Sequence, residues 1–253
     1  MEIVILTALG VGASTVIGAL FGFIFGSLSE RISDVILSFG AGVMLSAAVF
    51  GLIHESIDLG GKYSLVTMVL GVFSGALCVN VMDKVVPHLH RISGNDIESH
   101  PGKNDSLNKV LLFVMAIAIH NLPEGIAAGV GFGTGNTAEA LTIAGGIALQ
   151  NIPEGMVIIA PMLAAGISRR RTLLIAMATG LVEVVGTLLG YFAVSLSTAI
   201  LPFALAFAGG TMLYVISDEM IPETHSHGNE TGATYSLLFG FCLMLIFETL
   251  VGC

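Results

Sequence analysis

The chain has 253 residues, 55% hydrophobic and only 11% charged, less than half the roughly 25% usual in soluble domains. So few charges cannot coat a soluble protein of this size. With 9 Lys and Arg against 18 Asp and Glu, no basic face exists for nucleic acid beyond Arg169–Arg170–Arg171.

Apolar runs of about the length that crosses a bilayer, roughly 20 residues, recur between polar clusters. The first, 2–26, starts almost at Met1 without a basic leader and reads as a retained helix rather than a signal peptide. The second and third cover 34–57 and 63–86, and the fourth and fifth 107–133 and 137–165. The last three cover 172–197, 200–221 and 234–252. One long polar loop, 87–106, comes after the third run and a shorter one, 222–233, precedes the eighth. The expected fold is an all-α integral membrane protein of eight transmembrane helices in one domain over 1–253. Cys78, Cys242 and Cys253 show no metal or redox spacing and read as small apolar residues.

Orientation comes from Lys and Arg in the short loops. With both termini extracytoplasmic, Arg31, Lys84, Arg91, Lys103, Lys109 and Arg169 to Arg171 all face the cytoplasm, and only Lys62 lies outside. An internal repeat accompanies this topology. FGAGVML at 39–45 matches FAGGTML at 207–213, an offset of 168, and the same offset pairs Val16-Ile17-Gly18 with Val184-Val185-Gly186. The second helix then runs outward and the seventh inward, so the repeat is inverted, 3+2+3, with helices 4 and 5 between the halves.

Those two helices carry the chemistry. HNLPEG at 120–125 and QNIPEG at 150–155 place a proline and a carboxylate inside apolar runs, twice. His120 and Glu124 share one helix face, as do Gln150 and Glu154, with Asn121 and Asn151 beside them. Pro123 and Pro153 release carbonyls near Ile119 and Leu149, and Gly125 and Gly155 let a neighbouring backbone approach. Glu183 adds a third carboxylate at the same depth in the sixth helix. A charge there costs about 2.5–3.5 kcal/mol on insertion scales, and three glutamates repel unless protons or a cation intervene. Imidazole, carboxylates and amides without thiolates suit zinc, iron(II) or manganese. The plainer alternative is that these groups only bond neighbouring helices.

HNLPEG and then QNIPEG in adjacent helices resembles the ZIP (Zrt-, Irt-like) metal transporters, on the GufA-like branch marked by Gln150. The resemblance implies a midplane, binuclear metal centre. One site would use His120, Glu124, Gln150, Asn151 and Glu154, with Met44 approaching. The adjacent one would use Asn121, Glu124, Asn151, Glu154 and Glu183, the first two glutamates bridging. Many members have histidine in place of Gln150, and some have aspartate in place of Asn151, so strong ligands are fewer here. The resemblance also implies a homodimer in a cell membrane, in keeping with a compact bacterial inner-membrane protein. It would move zinc toward the cytoplasm, with iron, manganese and cadmium as further cargo. Metal is then bound substrate, no catalytic cofactor is expected, and the chain is not an enzyme.

On this topology His54, Glu55 and Asp58 gather at the outer end of the second helix, and Asp218, Glu219 and Glu223 near the inner end of the seventh. They mark candidate entrance and exit, with ordinary helix-end polarity as the alternative. Loop histidines His88, His90, His100, His225 and His227 are candidates for loose metal buffering or simply solvated side chains. An intramembrane zinc hydrolase is the alternative function, but it needs about three firm ligands, an open position and a general base. The chain has no HExxH and one central histidine.

Overall fold

The computed structural model describes residues 1–25, 29–85, 118–164 and 166–251, with no strand among them. The helices are α1 Glu2–Phe25, α2 Glu30–Leu59, α3 Ser64–Val85, α4 118–131, α5 Thr137–Ala164, α6 Arg169–Leu196, α7 Leu201–Thr224 and α8 Glu230–Val251. Seven of these described helices, all but α4, are long and apolar enough to cross a membrane. The chain is a multi-pass, all-α membrane protein. Residues 107–117, the expected start of the fourth span, and the loop 87–106 with His88, His90 and His100 lie outside the described residues.

Helices α2, α6 and α8 begin at Glu30, Arg169 and Glu230, ahead of the apolar onsets at 34, 172 and 234. Their first turns are polar but already capped. Ser29 Oγ accepts from the Ile32 N–H at 3.4 Å, and the carbonyls of Ser168 and Asn229 accept from Thr172 and Ala233 at 3.0 Å. Hydropathy marks where the apolar stretch begins, whereas these helices begin at exposed polar residues. Two further features have no mark in composition: α2 is π-helical over Ala47–His54 and α7 over Ile216–Met220. Both proline motifs lie in unbroken α-helix. Cys78 and Cys242 are exposed on α3 and α8 rather than packed inside.

Backbone contacts at glycine reveal the repeat. A Cβ on Gly12 would strike the Gly180 carbonyl, and one on Gly180 the Gly12 carbonyl, residues separated by the offset of 168. Gly155 lies against the Thr15 carbonyl and Gly125 against that of Glu183; Gly18 meets Ile152 and Gly186 meets Leu122. In the other helices Gly42 meets Leu237 while Gly210 meets Val72, and Gly75 meets Phe207 while Gly240 meets Phe39. One operator thus exchanges α1 with α6, α2 with α7, α3 with α8 and α4 with α5. Gln150 bonds Glu124 while Ile143 lies by Gly131, so α4 and α5 run antiparallel and the operator inverts direction.

These close approaches fall into two sets. Helix α1 packs on α5 and α6, and α4 on α6; α2 packs on α8, and α3 on α7. The motif helices thus belong with α1 and α6. Where α5 faces α2 the fit is looser, a Cβ on Gly40 lying 3.6 Å from the Gln150 carbonyl and from Pro153. Gly12→Ala is expected to lower stability by about 1–3 kcal/mol through overpacking. Gly10→Ala, which meets nothing within 4 Å, stays within about 0.5 kcal/mol of wild type. Thermal melting in detergent compares them.

Candidate metal centre

Helices α4, α5 and α6 bring six of the predicted residues together. Asn121, Glu124, Gln150, Asn151 and Glu183 are fully buried, and His120 is partly so. Gln150 Nε2 donates to Glu124 Oε2 at 2.6 Å and to Asn151 Oδ1 at 2.7 Å. Asn151 Nδ2 donates to Glu183 Oε2 at 2.5 Å, and Asn121 Nδ2 to Glu183 Oε1 at 2.6 Å. A continuous chain of side chains therefore runs from Glu124 through Gln150 and Asn151 to Glu183 and Asn121. It answers the burial problem, because charge-assisted hydrogen bonds replace the missing water.

The chain leaves one kind of atom over. Asn121 Oδ1, Glu124 Oε1 and Gln150 Oε1 are buried and meet no donor among the described residues. All three are acceptors, and a cation is the partner that can face several acceptors at once. No three His, Cys, Asp or Glu side chains among the described residues converge on one point. The amides therefore complete any donor set.

Glu154, also predicted, feels the charges of His120 and Glu219. Glu219 reads in the sequence as part of a separate inner mouth, yet its Oε2 lies 2.8 Å from His120 Nε2. It is carried within the π-helical turn over Ile216–Met220. Met44 is buried at 1% exposure in the main core with Ala128, Ile147 and Met212. Sequence reasoning missed Thr15, whose Oγ1 donates to Glu183 Oε1 at 2.6 Å. A signal existed, because the repeat offset of 168 pairs position 15 with position 183.

The sequence profile of the ZIP zinc transporters matches residues 98–248. The chain is 39% identical to zinc transporter GufA of Myxococcus xanthus, covering 95% of this chain and 96% of that one. It is 38% identical to zinc transporter ZIPB of Bordetella bronchiseptica, covering 95% and 78%. It is 30% identical to zinc transporter ZIP11 of Xenopus tropicalis, covering 94% of each. The chain belongs to the ZIP family.

The remaining predicted residues of this ZIP chain separate by role. His54 Nδ1 lies 3.3 Å from Asp58 Oδ2 on an exposed face, while Glu55 neighbours a second carboxylate, Glu139 of α5, a residue not singled out in the sequence. Asp218 lines a groove with Val72 and Tyr214 between α3 and α7, apart from Glu219. His225 is held on both ring nitrogens, Nδ1 by the Ile221 carbonyl at 2.8 Å and Nε2 by Thr234 Oγ1 at 3.0 Å, and so ties α7 to α8.

His227 Nδ1 lies 3.0 Å from Oδ1 of Asp34, itself buried in the first turns of α2. That hydrogen bond holds the His227 imidazole above its ordinary pKa against a smaller opposing effect of burial, with the charges of Asp34, Glu223 and Glu30 adding to it. A raised histidine value means stability present below the unfolded pKa and lost as pH rises through the folded one. The melting-temperature advantage of wild type over His227→Gln is therefore expected at about pH 6 and gone by about pH 9, and small because the imidazole is partly exposed.

Proposed function

We propose that this ZIP protein carries divalent transition-metal cations across the membrane toward the cytoplasm, zinc first, with iron(II), manganese and cadmium as further cargo. The observation that carries this is the set of donor-less buried oxygens on Asn121, Glu124 and Gln150, beside His120, Glu154 and Glu219. The relatives named above are zinc transporters, which supports zinc as cargo.

In this account Glu124, Gln150 and Asn121 replace part of the hydration shell of the ion, and His120 and Glu154 receive it on the side of Glu219. Met44 forms the apolar wall rather than a ligand. Mixed amide and carboxylate donors hold an ion less firmly than thiolates, which suits a site that must release. Metal binding needs deprotonated ligands, so protons compete with it. Alternating access comes from movement between the α1/α4/α5/α6 set and the α2/α3/α7/α8 set, since glycine contacts lock each set internally. The excess of Lys and Arg on one side supports extracytoplasmic termini, and the host in this account is a bacterial inner membrane. Inward direction and a homodimer rest on the ZIP resemblance. An intramembrane hydrolase finds no support in the comparisons, whose matched relatives are named as transporters.

Zinc uptake into proteoliposomes tests this. Wild type is expected to load zinc, Glu124→Ala to abolish loading while remaining folded, and His120→Ala to slow it by about tenfold or more. Absence of uptake for zinc, iron(II), manganese and cadmium alike would remove the proposal.

A further inference from the structure

Glu183 is the residue that the resemblance implies as ligand of a second ion, but here it is engaged by the protein. Oε1 accepts from Thr15 Oγ1 and from Asn121 Nδ2, both at 2.6 Å, and Oε2 accepts from Asn151 Nδ2 at 2.5 Å. Glu183 is 0% exposed and Thr15 1%.

These bonds have a consequence for the amides. A carboxylate only accepts, so both asparagines must present nitrogen to it and turn their oxygens away. Asn121 Oδ1 thereby becomes one of the donor-less acceptors. Asn151 Oδ1 instead accepts from Gln150 Nε2, which turns Gln150 Oε1 into another. Two of the three oxygens offered to an ion thus owe their direction to Glu183.

Thr15 fixes Glu183 from the other half of the repeat. It stands where the offset of 168 places the counterpart of Glu183, and the two meet across the contact of α1 with α6. The backbone is fixed at both positions, the Thr15 carbonyl by Gly155 and the Glu183 carbonyl by Gly125. The hydroxyl therefore has little freedom to leave its acceptor.

We propose that Thr15 is a positioning residue for ion binding: its hydroxyl anchors Glu183, which in turn orients the amides of Asn121 and Asn151. This rests on the motif residues being the ion site. Without the hydroxyl, Glu183 stays buried with one donor fewer and can rotate, taking the Asn121 amide with it. Affinity falls, while the helix movements that set the maximal rate are untouched.

The test uses Thr15→Val, which keeps the branched shape and deletes the donor, and Thr15→Ser, which keeps the donor. Zinc dissociation constants come from calorimetry of the purified full chain in detergent, and KM and maximal rate from proteoliposome uptake. Thr15→Val is expected to raise both Kd and KM by about tenfold, the scale of one hydrogen bond to a charged group, with maximal rate within about twofold. Thr15→Ser restores wild-type values. Thr15→Ala deletes the same donor without added bulk and reads the same Kd if the valine variant does not fold. Wild-type Kd in the donor-deleted variants, or a serine variant as impaired as valine, overturns the proposal alone. A wild type that neither binds nor carries zinc overturns the transport function and the proposal together.

Discussion

A carboxylate inside a bilayer needs partners that replace water, and this protein places Glu124 and Glu183 where neither touches water. The partners are side-chain amides and one hydroxyl, linked so that each donor is used: Gln150 serves Glu124, Asn151 and Asn121 serve Glu183, and Thr15 completes it. Such a network holds only if four helices carry their backbones within touching distance. The glycines of both motifs provide that distance. Gly125 brings α4 onto Glu183, and Gly155 brings α5 onto Thr15. The same PEG sequence thus supplies a carboxylate and the close contact that permits its burial.

The inverted repeat gives this arrangement its economy. Many glycine contacts on one side of the pseudo-twofold have a counterpart on the other, down to the mutual contact of Gly12 and Gly180. Symmetry is broken where chemistry is needed. At the related positions 15 and 183 one half presents a hydroxyl and the other a carboxylate, so the two bond instead of repelling. At 120 and 150 one motif starts with histidine and the other with glutamine. Glutamine joins the central network, while histidine turns to Glu219 on α7 and connects the two helix sets.

Much of this was legible in the sequence, for physical reasons. Spans could be read because lipid tolerates few charges, and the motif carboxylates could be read because they violate that rule. Gly125 and Gly155 could be read from the need for close packing. Other features left no such trace. Thr15 looks like any threonine in an apolar helix, since a hydroxyl can bond its own preceding turn, and only the 168 offset singles it out. Glu219 reads as a helix-end charge because a π turn cannot be seen in hydropathy, yet it lies in such a turn and meets His120. Asp34 lies at the apolar onset of α2, where an acidic residue passes as a first-turn charge, and its histidine partner comes from a loop 193 residues away.

On the proposed function, an ion at this site is held by nitrogen and oxygen donors of the two motifs. Zinc K-edge X-ray absorption on the wild-type protein in lipid nanodiscs reads that donor shell directly. The expected spectrum shows a shell of nitrogen and oxygen at about 2.0–2.2 Å with an imidazole signature and no sulfur near 2.3 Å. A sulfur scatterer, or zinc surrounded by water alone, would contradict it.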